Sequence, residues 1–164
     1  MRKKLENFWF YYKKQFLIGL AVLLVLLYLG IEKFSAVQPD YHIGLVRAAA
    51  CTEAELQALE DDFTAAGTDV NGDGQVLVQI HTYFTDLAGA PDANVVQALD
   101  ADLIGAMSGL FLLEDVDTFR AVTGNILAGT SIPMDGGLFL TVRADAAAAY
   151  IDLAGNMTGA ASAP

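Results

Sequence analysis

The pattern of apolar and polar positions changes character once along the chain, near residue 33. Before that point, residues 15–31 read QFLIGLAVLLVLLYLGI, seventeen positions without a charge between Lys14 and Glu32. As a helix they would extend about 25 Å, near the lower limit for a bilayer core, so the run predicts a transmembrane helix over 15–31. Residues 1–14 set Arg2, Lys3, Lys4, Lys13 and Lys14 around Phe8, Trp9, Phe10, Tyr11 and Tyr12. Such a basic, aromatic segment suits the cytoplasmic side of a membrane, with its rings at the interface. Residues 32–40 are then a short juxtamembrane linker.

Residues 41–154 alternate between the two periodicities of regular structure. Residues 41–48 (YHIGLVRA) follow a Pro39-Asp40 turn signal and predict a strand. Thr52 with Glu55 three places on predicts a capping box opening a helix, whose apolar stripe is Leu56, Leu59 and Phe63 and whose stop is Gly67. Residues 76–84 (VLVQIHTYF) alternate strictly and predict the best strand of the chain. Pro91 stands where a first helical residue would, and Val95, Val96, Leu99, Leu103, Ile104 and Met107 carry helical spacing to Gly109. The wholly apolar residues 110–113 predict a strand covered on both faces. A helix over about 116–122 capped by Asp115, a glycine-bearing loop over 124–137, a strand over 138–143 and an alanine-rich helix over about 146–154 complete the order. The prediction is an α/β fold: an N-terminal transmembrane helix, then a small three-layer sandwich with a mainly parallel sheet of about four strands. The small, polar residues 155–164 are expected to be a disordered tail.

Charge sharpens this division. The chain has 54% hydrophobic residues, mean hydropathy +0.42 and a net charge of -11. Residues 1–33 hold six Lys/Arg and two Glu, whereas residues 34–164 hold three Arg and eighteen Asp/Glu. The first part is therefore +4 and the second -15. The basic excess before the apolar run places the N-terminus in the cytoplasm and the acidic domain outside the cell, on a single-pass signal-anchor in the cell membrane. A cleavable signal peptide is the rival, but the stretch after the apolar run offers a poor small-x-small site, so the uncleaved anchor is preferred. The acidic domain lacks the basic footprint that nucleic acid requires.

Candidate chemistry is sparse. One cysteine, Cys51, excludes an internal disulfide, and with only His42 and His81 it cannot complete a structural zinc site. Asp69-Val70-Asn71-Gly72-Asp73-Gly74-Gln75-Val76 matches the first eight positions of an EF-hand loop, with Asp69, Asn71, Asp73 and the Gln75 carbonyl as tentative calcium ligands. Position 12 of that pattern is Ile80 in place of a bidentate acid, and a strand follows where a helix belongs. A plain turn is the preferred reading, and weak calcium binding, completed by water or an acid such as Asp86, is the alternative. His81 and Tyr83 share one face of their strand, with Asp86 in the loop beyond, and form a tentative ligand site against the competing reading of strand packing and a solvated carboxylate. Glu114, Asp115 and Asp117 cluster at another strand end, where a cap and a solvated first turn also explain them. No G-x-S-x-G, Walker or G-x-G-x-x-G motif occurs, and no catalytic constellation or cofactor site is expected.

FWFYYKKQFLIGL at the N-terminus, the single apolar run, PDYHIGLV and DVNGDGQVLVQIHTYFTD together resemble uncharacterised small single-pass membrane proteins of clostridial-type bacteria. Within residues 41–127, the succession VLVQIHTYF, DANVVQALDADLIGAMSG, LFLLEDVDTFRAVTGNIL is similar to the first lobe of a type II extracellular solute-binding protein. That resemblance implies a parallel strand, a helix and an apolar strand ending in an acidic loop beside a ligand cleft. The expectation is a membrane-anchored extracytoplasmic binding or protein-interaction domain without enzymatic activity. Its alternative is an accessory solute-binding-like or calcium-binding subunit of an envelope or transport complex.

Overall fold

The computed structural model describes residue 14, residues 17–25 and residues 38–161, with side chains to residue 158. The chain divides into two compact units, Met1–Val37 and Gln38–Pro164.

In the first unit, residues 17–25 are helical and carry exposed Leu17, Ile18, Leu23, Leu24 and Val25. Nine helical residues extend about 14 Å, less than half of a hydrocarbon core of about 30 Å. Among the described residues no helix is long and apolar enough to cross a membrane. This corrects the expectation of a transmembrane, single-pass signal-anchor. The rest of 15–31, and residues 1–13, lie outside the described residues.

The second unit is an α/β fold on a five-stranded sheet. Its elements are β1 Tyr41–Arg47, α1 Glu53–Ala66, β2 Val78–Phe84, α2 Ala93–Gly105, β3 Leu110–Leu113, α3 Val116–Thr123, β4 Leu127–Pro133, a 3-10 turn Asp135–Gly137, β5 Phe139–Arg143 and α4 Ala148–Ala161. The strand order is β2-β1-β3-β5-β4. β1 pairs in parallel with both β2 and β3, whereas β5 pairs antiparallel with both β3 and β4.

The sheet is therefore mixed, and the expectation of about four mainly parallel strands is corrected. The difference arises at residues 124–137, read in the sequence as a loop. Leu127–Pro133 (LAGTSIP) contains Gly129 and Pro133, has no apolar alternation and shifts register between Leu127 and Ser131, features that suit an irregular edge strand. β3, α3 and β4 make a crossover that skips one slot. The turn at Asp135–Gly137, with Gly136 and Gly137 both at φ 75°, folds β5 back into that slot against β3.

Side-chain alternation gives the sheet two covered faces. Tyr41, Ile43, Leu45, Val78, Leu110, Leu112 and Leu140 face one layer, where Phe63 of α1 and Leu153, Ala154 and Met157 of α4 close the core. Val46, Tyr83, Phe111 and Leu113 face the other, under Leu99 and Leu103 of α2 and Phe119 of α3. α1 opens with the expected capping box of Thr52 and Glu55. α2 starts two residues later than Pro91 suggested, because Asp92 accepts from the amides of Asn94 and Val95 as the N-cap. α4 continues to Ala161, so residues 155–161, expected to be disordered, are helical. The stripe Ala149, Tyr150, Leu153, Ala154, Met157 keeps that helix on the core.

Candidate functional site

The helix placement just described produces a crevice. After β1 the chain turns to α1 on one face of the sheet, and after β3 it turns to α3 on the other face. Adjacent parallel strands whose connections diverge in this way leave a gap beyond their carboxyl ends, the location where open α/β sheets hold ligands. The gap has a volume of about 270 Å³. Arg47 and Ala48 line it from the end of β1, Thr85 and Asp86 from the loop after β2, and Glu114, Asp115 and Thr118 from the start of α3.

The backbone fixes these groups in place. The Ala48 amide donates to Glu114 Oε2 at 2.9 Å, and the Glu114 amide donates to the Val46 carbonyl at 3.2 Å, so Glu114 ties the ends of β1 and β3 together. Asp86 Oδ1 accepts from the Ala88 and Gly89 amides at 3.1 and 2.9 Å. Asp115 caps α3, accepting from the Thr118 hydroxyl at 2.7 Å and the Thr118 amide at 2.9 Å. Those bonds, the hydroxyl's first, hold its carboxyl below the usual carboxylate range. Arg47 Nη1 donates to Cys51 Sγ at 3.2 Å, and its Nε is buried with no acceptor among the described residues. The crevice thus carries three carboxylates, while the Arg47 guanidinium is turned toward Cys51 with its Nε buried and unpaired. An unpaired buried donor of this kind costs about 1–3 kcal/mol.

The expected ligand residues His81, Tyr83 and Asp86 do not come together as one site. β2 is an edge strand, and Asp86 belongs to the crevice. Tyr83 is buried under α2 with its hydroxyl donating to Asp102 Oδ2 at 2.6 Å. Burial, then the hydrogen bond and charge of Asp102, push its phenol far above the ordinary range. His81 stacks on His42 of β1, with ring centroids 5.4 Å apart, planes 14° apart, and Nε2 3.1 Å from His42 Nδ1.

That histidine contact needs a neutral acceptor nitrogen. Burial, then the proximity of His81, lowers the pKa of His42 below its ordinary 6.5, while Asp102 opposes the shift. A histidine depressed in the folded state contributes stability that is fully present above the unfolded pKa and is lost as pH falls through the folded pKa. The melting temperature is therefore expected to fall between about pH 7 and pH 5, and His42→Asn to flatten that fall. Parallel Tm profiles for the two proteins would contradict the assignment.

The Asp69–Gln75 segment is a turn whose polar groups serve each other. Asp69 accepts from the Gly72 and Gly74 amides, Asn71 Oδ1 from the Asp73 amide and Asp73 Oδ1 from the Gln75 amide. Gly72 and Gly74, at φ 78° and 85°, permit the bend. Asp40 accepts from the Val70, Asn71 and Leu77 amides and ties the segment to the start of β1. Among the described residues no group of three or more His, Cys, Asp or Glu converges on a metal position. Asp69, Asn71 and Asp73 thus spend carboxylate or amide oxygens on the backbone of their own segment, and Asp86 lies in the crevice after β2.

No family model, curated protein or solved structure matches this chain. The resemblances to clostridial membrane proteins and to a solute-binding lobe rest on the sequence alone, and the functional reading rests on the crevice.

Several residues of that crevice were not singled out in the sequence. Arg47 carries the one available signal, as one of only three basic residues after Lys33, standing at a strand end. Thr85, whose hydroxyl accepts from the Asp92 amide, and Thr118 have no sequence signature.

Proposed function

We propose that residues 38–161 are a binding module that takes a small amino compound, an ammonium-bearing zwitterion of the size of a basic amino acid, at the crevice beyond β1 and β3. The observation carrying this reading is the crevice at the point where the β1 and β3 connections diverge, whose lining includes Asp86, Glu114, Asp115 and Arg47. A volume of about 270 Å³ corresponds to roughly nine water volumes, hence a ligand of about ten non-hydrogen atoms. The carboxylates match an ammonium and the guanidinium matches a carboxylate. Each of the three carboxylates is held by backbone amides, an arrangement suited to fixed charge recognition and unsuited to proton transfer. The reading is therefore binding without turnover.

Lysine is the probe. Isothermal titration of lysine into the full chain is expected to give saturable binding at one site, and Asp86→Asn with Glu114→Gln to weaken it by about tenfold or more. Propionate, which lacks the ammonium, is expected not to bind. Equal affinity of the variant and the parent chain, or no heat with lysine, would overturn the proposal.

A further inference from the structure

A second concave surface lies on the α1 and α4 face, away from the residues of the crevice. It is a groove of about 630 Å³ bordered by the end of α1, the β4–β5 turn and α4. Apolar and polar groups share its lining, with Ala65, Ala66, Pro133, Met134 and Met157 supplying the apolar part. Met157 is 8% exposed and belongs to the buried core, Met134 packs against that core, and Ala65 and Pro133 extend the surface outward. Thioether side chains adapt to different apolar shapes, which makes methionine common on surfaces that receive peptide side chains. Its rim is acidic, with Asp62 on one side and Asp135 on the other, both exposed.

The electrostatic surroundings favour a cation there. Residues 38–161 contain no lysine, and their three arginines are placed elsewhere: Arg47 at the crevice, Arg120 on the carbonyls of Ala128 and Gly129, and Arg143 on Asp145 and the Leu103 carbonyl. α1 ends at the groove with no basic residue in its last turn, so the negative end of its dipole adds to Asp62. Helices ordinarily set a cation at this end. One of its carbonyls, that of Ala66, takes the Asn156 side chain at 3.0 Å, which fixes the wall between α1 and α4. Apolar side chains between two carboxylates that no cation pairs among the described residues match one class of occupant, a protein segment whose apolar side chain is flanked by Lys or Arg.

We infer that this groove is a docking site for a cationic, apolar peptide segment of a protein partner. The apolar side chain seats on Met134 and Met157, and the flanking cations face Asp62 and Asp135. The surface is independent of the amino-compound crevice, and its test leaves that reading untouched.

The probe is a fluorescein-labelled nine-residue peptide alternating Leu and Lys, titrated against the full chain and followed by fluorescence anisotropy. Binding is expected to weaken as salt rises, and Asp62→Asn with Asp135→Asn to lower affinity about tenfold or more while leaving Tm and lysine binding unchanged. Met134→Ala, a change at a half-buried position, is expected to weaken binding as well. A peptide with Ser in place of Leu is expected to bind poorly. The proposal is overturned if the double variant binds the Leu-Lys peptide as tightly as the parent chain does. It is equally overturned if the Ser-Lys peptide binds as well as the Leu-Lys peptide, if no peptide binds, or if the groove proves to be filled by a second copy of the chain.

Discussion

Replacing Asp102 by alanine is expected to lower the free energy of unfolding by about 3 kcal/mol or more. Asp102 is 0% exposed, yet its carboxylate is fully employed. Oδ2 accepts from the Tyr83 hydroxyl and the Ser108 hydroxyl, each at 2.6 Å, and Oδ1 accepts from the Ser108 amide at 2.7 Å. Alanine leaves all three donors buried, each at a cost of about 1–3 kcal/mol, partly offset because a buried charge is also removed. Asp102→Asn should cost much less. Its oxygen still accepts from the Ser108 amide, and the two hydroxyls can rotate to accept from its amino group. Urea unfolding of the parent chain and both variants measures the difference, and an Asp102→Ala loss below about 1 kcal/mol would show that the network does not hold α2 to β2 and β3.

The network also explains a strained backbone position. Ala106, at φ 50°, ends α2 in the left-handed region that glycine usually occupies. The Met107 amide donates to the Asp102 carbonyl, and Ser108 is pinned by the Asp102 side chain, so both sides of Ala106 are fixed. The chain then passes directly into β3, whose far end delivers Glu114 to the crevice. A structural carboxylate beneath α2 thereby contributes to the register of the binding residues without touching a ligand.

Gly44→Ala is expected to destabilise by about 1–3 kcal/mol through overpacking. A Cβ at Gly44 would lie 2.6 Å from both Cδ1 and Cε1 of Phe111, in the middle of the sheet where β1 meets β3. Phe111 cannot retreat easily, since it is 0% exposed and its ring lies 5.4 Å from that of Phe119. A compensating Phe111→Leu on the Gly44→Ala background should recover part of the loss, whereas Phe111→Leu alone should cost stability. Additive losses in the double variant would contradict the packing described.

The sequence was informative where one local cause dominates. Thr52 with Glu55, Asp115 before Val116, and the wholly apolar Leu110–Leu113 each carry a local signal that the fold obeys. It was misleading where tertiary placement decides. Nothing in LAGTSIP distinguishes an edge strand from a loop, because its pairing is supplied by β5 and not by its own side chains. The direction of β5 likewise depends on which slot of the sheet remains open. Hydropathy predicted a membrane helix over 15–31, whereas the described helical residues are too few to cross a bilayer. Among the site residues, Asp86, Glu114 and Asp115 were visible as acids at strand ends. Their convergence was not visible, since it follows from α1 and α3 leaving on opposite faces. Tyr83 looked available on its strand, but its partner Asp102 lies nineteen residues away on α2.

The crevice is tested most directly by locating bound lysine on the full chain. In amide spectra of the nitrogen-15-labelled protein, lysine is expected to shift the signals of Ala48, Ala88 and Glu114, whose amides border or donate to the crevice carboxylates. Those shifts should disappear in Glu114→Gln with Asp86→Asn while the remaining spectrum is preserved. Shifts confined to other parts of the domain, or shifts at these amides that persist in the variant, would contradict the assignment of the β1–β3 crevice as the binding site.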